Sequence, residues 1–347
     1  GSMTITSKEL MHTVTSFKSA ERTPINYLSP NGLFFRRLGL TDETAFALPA
    51  EQLADIYIEG SELIKSDVVI IGLHGTLSIK AIGGKVKLRK NGHPDMEQPL
   101  LENIADIDKL DLGLLKKDYY YQKFLDTAKY TIKKVGDKKT ICTGNWAPFT
   151  LAGLMYGSEK LMRACIRDKA AVRDLLDFCV ELYIKNVEDI VEAGADMVSA
   201  ADPTASGDMI SRSVFEEMSL PYLQKIYKWI NAKKRIASLH ICGNIENRLD
   251  LVPETGTRIL SIDYKVSMAK AREILGGKVV LAGNADPVGV IQMGTPEIVA
   301  ETYRAAIEQA GNNAYIMMTG CSLSPLTPME NIEAMIKVAH SHAVRIN

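Results

Sequence analysis

The chain has 347 residues, 46% hydrophobic and 24% charged, a composition that excludes disordered, collagen-like and disulfide-scaffold proteins. Its 41 basic and 42 acidic residues leave a net charge of −1, so no bulk attraction to nucleic acid or to an anionic membrane is expected. No apolar run approaches the roughly 18 residues that cross a bilayer, and no signal-peptide pattern opens the chain; a cytoplasmic location is expected.

Gly1-Ser2 before Met3 reads as a tag remnant, and residues 1–22 together as that remnant plus a helical extension. From residue 23 onward, short apolar runs alternate with helical patterns. The runs are Pro24–Leu28, Val68–Gly72, Thr140–Gly144, Met197–Ala201, Ile236–Ile241, Arg258–Asp263, Val279–Gly283 and Tyr315–Thr319. Each is nearly continuously apolar, as parallel strands buried on both faces are. After the second run, Leu77–Ile82 and Lys85–Leu88, joined by Gly83-Gly84, read as an inserted β-hairpin. Ala170–Glu192, Val214–Asn231 and Thr295–Gln309 read as helices. Thr295-Pro296 has the form of an N-cap followed by proline at the first helical position. Thr327 to Glu330 has capping-box spacing. Eight βα units over residues 23–347 predict a (β/α)8 TIM barrel; the alternative is a doubly wound open sheet.

A barrel carries its chemistry at the C-terminal ends of its strands. His240 and Cys242 lie two apart, so an extended strand projects both to one side. Cys321 ends the eighth run, and barrel closure can bring it to the same mouth. One imidazole and two thiolates suit Zn²⁺ with a fourth position open; the alternative is a strand-buried histidine and two packed cysteines. Cys142, Cys165 and Cys179 fall inside apolar patterns and read as core. The free thiols fit a reducing compartment, because five dispersed cysteines do not make a disulfide framework. Asp202, Asp263 and Asp286 follow strand residues and can serve as metal ligand, acid/base or substrate anchor. Asp202-Pro203 and Asp286-Pro287 can equally be turns or caps. Asn145, Asn244 and Asn284 either donate to a ligand or close loops. Tyr27, Phe34, Phe35, Trp146 and Phe149 either line an aromatic pocket or pack as core.

The stretch Ala193-Gly194-Ala195-Asp196 with Ala201-Asp202-Pro203-Thr204-Ala205-Ser206, the stretch Leu239–Asn244, and Gly320-Cys321 followed by Pro325–Asn331 resemble the methylcobamide:coenzyme M methyltransferases of the uroporphyrinogen decarboxylase superfamily. The resemblance is strongest from about Lys185 onward. It implies zinc at His240, Cys242 and Cys321, to which the strand-end acid Asp202 is added as a catalytic candidate. It also implies a corrinoid carried by a partner protein; the strand-end positions of Asn145, Asn244, Asp263, Asn284 and Asp286 make them candidates for contact with that cofactor. The implied reaction moves a methyl group between that corrinoid and a zinc-activated thiol such as coenzyme M. One alternative is a donor-side enzyme that takes a methyl group from a methoxylated aromatic or other methylated substrate to Co(I). Another is a non-catalytic zinc- or corrinoid-binding protein. The decarboxylases themselves carry an Arg-Gln-Ala-Gly-Arg-like stretch near the N-terminus. Thr23–Pro30 stands there instead, without either arginine, so tetrapyrrole carboxylates lose their anchors.

Overall fold

Seven parallel strands form one curved sheet in the computed structural model, which describes residues 4–89 and 94–347. The tag-remnant reading of Gly1 and Ser2 lies outside the described residues. The sheet strands are β1 (Val68–Ile70), β4 (Thr140–Trp146), β5 (Met197–Ala201), β6 (Ile236–Ile241), β7 (Ile259–Ile262), β8 (Val280–Ala285) and β9 (Tyr315–Thr319). They neighbour one another in that order. β2 (Val86–Lys87) and β3 (Asp95–Met96) form a separate antiparallel ribbon.

The eighth expected strand, Pro24–Leu28, closes the ring between β9 and β1 without becoming a regular ladder. Met317 N donates to Pro24 O and Asn26 N to Met317 O, both at 2.9 Å, and on the other side Asp67 N donates to Ile25 O at 2.9 Å. Proline has no N–H to give, which limits the ladder here. The expected barrel is thus present, with one stave held by a few backbone bonds.

The hairpin expectation is corrected in its residues. Gly75–Ala81 is a helix, opened by His74, whose Nδ1 accepts from Thr76 N at 3.3 Å. Leu77, Ser78 and Ile79 are all fully buried. A segment buried on every side has no polar face, so its residue alternation imitates a strand. The hairpin that does follow β1 pairs Val86 with Met96 and Lys87 with Asp95.

The helices come out close to expectation. Lys169–Ala193, Leu220–Ala232 and Pro296–Ala310 pack outside the sheet. The pattern starting at Val214 holds a π-turn at Phe215–Ser219 before Leu220. Thr295 Oγ1 accepts from Ile298 N, as its N-cap reading requires. Thr327 does not cap: its hydroxyl donates to Ser324 O at 2.7 Å, and the last helix, Met329–His340, starts after Pro328. Buried tyrosines tie the helices to the strands. Tyr183, Tyr227 and Tyr303 hydroxyls donate to the carbonyls of Ser199, Ser238 and Met318 at 2.7, 2.6 and 2.7 Å. This gives each buried O–H a partner.

The barrel interior is filled at its N-terminal end. Val68, Cys142, Met197, Ile259, Val280 and Ile316 form one cluster there with Leu10, Met11 and Val14. The last three come from the helix Ser7–Thr15, which plugs that end. Higher up the same strands, the residues that share this inward parity shrink to Gly144, Ser199, Ala201, Ser238 and Ser261. Small side chains leave room at the mouth. A cavity of about 520 Å³ opens there, bordered by Gly144, Ser199 and Ala201.

Cys142, Cys165 and Cys179 are core, at 1%, 4% and 0% exposure. Burial pushes the Cys142 thiol up to about 12 and the Cys165 thiol to about 11, and pushes Cys179 further still. Thiols that stay protonated and inaccessible do not alkylate. Iodoacetamide should therefore modify two of the five cysteines in the native metal-free protein, Cys242 and Cys321, and all five in denaturant. Mass mapping that finds Cys142 or Cys179 modified first would contradict this packing.

Candidate metal centre

His240 is the penultimate residue of β6 and points into the mouth, 5% exposed. Its Nδ1 lies 2.9 Å from Ser261 Oγ and 3.1 Å from Ser261 O on neighbouring β7. A proton donated from Nδ1 to that carbonyl leaves the Nε2 lone pair facing the mouth. Cys242 follows two residues later, on the same side, its Sγ 3.2 Å from His240 Nε2. Cys321, just past β9, brings its Sγ to 4.0 Å from that of Cys242. All three donor atoms lie within 4.8 Å of one another.

Those spacings can be tested against the ion. Tetrahedral Zn²⁺ with its usual Zn–S and Zn–N lengths requires sulfurs about 3.7 Å apart and a sulfur–nitrogen distance of about 3.5 Å. The observed 4.0 and 3.2 Å fit within a few tenths of an ångström. The donor set fits zinc by chemistry as well, being borderline-soft and completed by only three protein ligands. Between the thiols, the hydrogen bond from Cys242 and the neighbouring His240 draw Cys321 down, while that same hydrogen bond and burial push Cys242 up. A cation that binds both sulfurs displaces any thiol proton they carry.

The loop that presents Cys242 is fixed from below. Gly243 has φ +78°, and its N–H donates to Asp263 Oδ2 at 2.8 Å. That positive φ is the left-handed conformation glycine adopts without strain, and the nearest obstacle to a Cβ there is the movable Asp208 carboxylate at 2.6 Å. The other oxygen of Asp263 accepts from Lys265 N at 2.9 Å. Asp263 is thus engaged in loop closure and not among the converging donors.

The remaining strand-end residues are equally occupied. Asp202 is fully buried, its carboxylate accepting from Thr150 Oγ1 at 2.7 Å and Ser219 Oγ at 3.1 Å. Burial lifts it to about 6 against those two hydrogen bonds. Its amide donates to His240 O at 2.8 Å, tying β5's end to the ligand strand. Asp286 caps the π-turn Pro287–Gln292 by accepting from Val288 N. Asn284 donates to Val266 O at 2.7 Å and Asp263 O at 3.2 Å. Asn244 accepts from Glu246 N at 3.0 Å on an exposed turn. Asn145 accepts from Trp146 N at 2.7 Å and borders the cavity.

The cavity lies beside the three donors. Ser322 borders it and follows Cys321; Ala201 borders it and pairs in register with His240. Trp146 and Phe35 line it, whereas Tyr27, Phe34 and Phe149 are core, at 0%, 4% and 1% exposure. The strand-end rule missed Asp42, Phe46, Tyr57 and Phe124 in its wall. They sit on the helices Asp42–Phe46, Ala50–Leu63 and Tyr119–Val135. No helix among the described residues is long and apolar enough to cross a membrane.

The profile of the uroporphyrinogen decarboxylase family matches residues 6–342. A methylcobamide:CoM methyltransferase of Methanosarcina acetivorans is 28% identical over 84% of this chain and 85% of its own. A uroporphyrinogen decarboxylase of Geobacter sulfurreducens is 25% identical over 93% of this chain and 95% of its own. A solved methyltransferase from Methanosarcina mazei shares the fold at TM-score 0.85 and 24% identity, over 97% of this chain and 98% of that one. The chain belongs to the uroporphyrinogen decarboxylase family.

Proposed function

We propose that this member of the uroporphyrinogen decarboxylase family is a zinc-dependent methyltransferase of a corrinoid methyl-transfer system. It would exchange a methyl group between a corrinoid on a partner protein and a small-molecule thiol. The observation that carries this reading is the convergence of His240, Cys242 and Cys321 within 4.8 Å beside an open cavity. The resemblance to methyltransferases that share the full-length fold supports it. Free thiols, with pKa near 8.5, are mostly protonated at neutral pH; zinc held by these three side chains would keep a fourth, exogenous sulfur as thiolate.

The chain's own residues supply the rest. Ser261 holds the His240 tautomer, and Asp263 holds the Cys242 loop through Gly243. Asp202, whose oxygens are both engaged, positions β6 through its backbone. A methyl-corrinoid would supply the methyl group as a methyl-cation equivalent, its cobalt–carbon pair remaining with cobalt while the bound sulfur would supply the pair for the sulfur–carbon bond. The donor-side direction would run in reverse, with Co(I) as the nucleophile. Five unpaired thiols suit a reducing cytoplasm. Decarboxylation is disfavoured, because Thr23–Pro30 offers no arginine to a polycarboxylate.

The test is the zinc-loaded protein with methylcobalamin and a thiol panel, followed by the cobalamin spectrum. Zinc-dependent demethylation by a thiol is expected. The aromatic wall of the cavity favours a second reading, methyl transfer from an aryl ether or other methylated donor to cob(I)alamin, and the reverse assay covers it. No spectral change with any thiol or donor would leave a non-catalytic metal protein and end the proposal.

A further inference from the structure

The cavity carries information about charge that the metal donors do not. Four rings form part of its wall: Phe35, Phe46, Tyr57 and Phe124. They interlock, with centroids of Phe35 and Phe46 6.0 Å apart at 80° and those of Phe46 and Phe124 5.1 Å apart at 78°. Among the described residues that line the cavity there is no lysine or arginine. Its ionisable side chains among the described residues are the imidazole of His74 and one carboxylate, Asp42, which is half-buried and has no hydrogen-bond or ion-pair partner among those residues. Burial alone raises it, to about 6. A carboxylate kept partly from water without a partner costs stability, and an incoming cation would recover that cost.

We infer that this cavity binds an organic cation, an ammonium on an apolar body, with Asp42 as counter-ion and the crossed rings as its wall. The small-molecule partner of the methyl transfer then belongs to that class and not to the organic sulfonates, of which coenzyme M is one. The second statement rests on the methyltransferase reading; the first does not. The chemistry is that of aromatic recognition of quaternary ammonium, where ring faces attract the cation and a carboxylate completes the charge balance. A sulfonate would meet the Asp42 carboxylate with His74 as the one basic side chain among the described lining residues and no lysine or arginine, and would be repelled by that carboxylate while losing hydration.

Calorimetric titration of the full chain with three probes of similar shape tests this without metal or corrinoid. They are phenyltrimethylammonium, its neutral isostere tert-butylbenzene, and benzenesulfonate. The cation should bind about tenfold or more tighter than the neutral probe, and the sulfonate should not bind. Asp42→Asn should cut the cation's advantage over the neutral probe severalfold, leaving only what the rings supply, while leaving the neutral probe unchanged. That unchanged arm also reports that the cavity is intact. The inference is overturned if benzenesulfonate binds as well as the cation, if Asp42→Asn leaves the cation's advantage undiminished, or if no probe binds. Charge preference without any methyl transfer would reject the methyltransferase reading alone. Methyl transfer from methylcobalamin without charge preference would reject this inference alone.

Discussion

Cys242→Ala and Cys321→Ala should each abolish stoichiometric zinc and reduce methyl transfer by at least about 10³-fold. Loss of an outer-shell partner costs roughly 10–100-fold in metal affinity, and these are two of the three converging donors. With one sulfur gone, a nitrogen and a single sulfur remain, which suits Zn²⁺ poorly. The fold should persist. Both cysteines are half-exposed and stand at strand ends, outside the buried clusters that fill the barrel and coat its helices. Metal-free wild type and both variants should therefore melt together. Added zinc should raise Tm only in wild type, because only a protein that binds the ion gains the linkage stabilisation. Full zinc occupancy with normal turnover in both variants would remove the site assignment, and with it the thiolate chemistry.

What the sequence makes legible here follows from burial. Strands such as Met197–Ala201 and Tyr315–Thr319 are buried on both faces, so they stand out as short apolar runs with exact ends. The His240–Cys242 pair is legible because extended backbone carries i and i+2 to one side, and 3.2 Å between donors is the result. The helix Gly75–Ala81 is misread for the converse reason: with Leu77, Ser78 and Ile79 all buried, no polar face marks the 3.6-residue period. The acids at strand ends were ambiguous between chemistry and capping. Asp286 accepts from the Val288 amide and Asp263 from the Gly243 and Lys265 amides, so both acids hold turns at the strand ends, a role that residue type alone does not separate from chemistry. Asp42, Tyr57 and Phe124 were invisible as cavity residues. They come from three helices flanking β1, and no local pattern announces that packing brings them to one wall.

The same seam that interrupts the strand pattern concentrates stability. Asp67, 1% exposed, precedes β1 and accepts four hydrogen bonds. Arg22 donates through Nη2 at 2.6 Å and Nη1 at 3.0 Å, Ser7 Oγ at 2.6 Å, and Ile25 N at 2.8 Å. Its own N–H returns to Ile25 O at 2.9 Å. One carboxylate thus joins the plugging helix, the irregular stave Pro24–Leu28 and β1. Asp67→Ala removes every side-chain bond at once. It leaves the Arg22 guanidinium, only 23% exposed, without its counter-charge and the buried Ile25 amide without an acceptor. Breaking a buried pair from one side costs about 3–5 kcal/mol, a large share of the roughly 5–15 kcal/mol that holds a domain together. The urea midpoint should fall accordingly with an unchanged slope. Exchange should accelerate at the Ile25 and Asn26 amides, whose bonds run to Asp67 and Met317. Zinc affinity should not change, because Asp67 lies at the N-terminal end of β1 and the three donors at the C-terminal ends of β6 and β9. A loss below about 1 kcal/mol would mean that the stave is held by its backbone bonds and core packing alone, as a surface ion pair's removal would leave it.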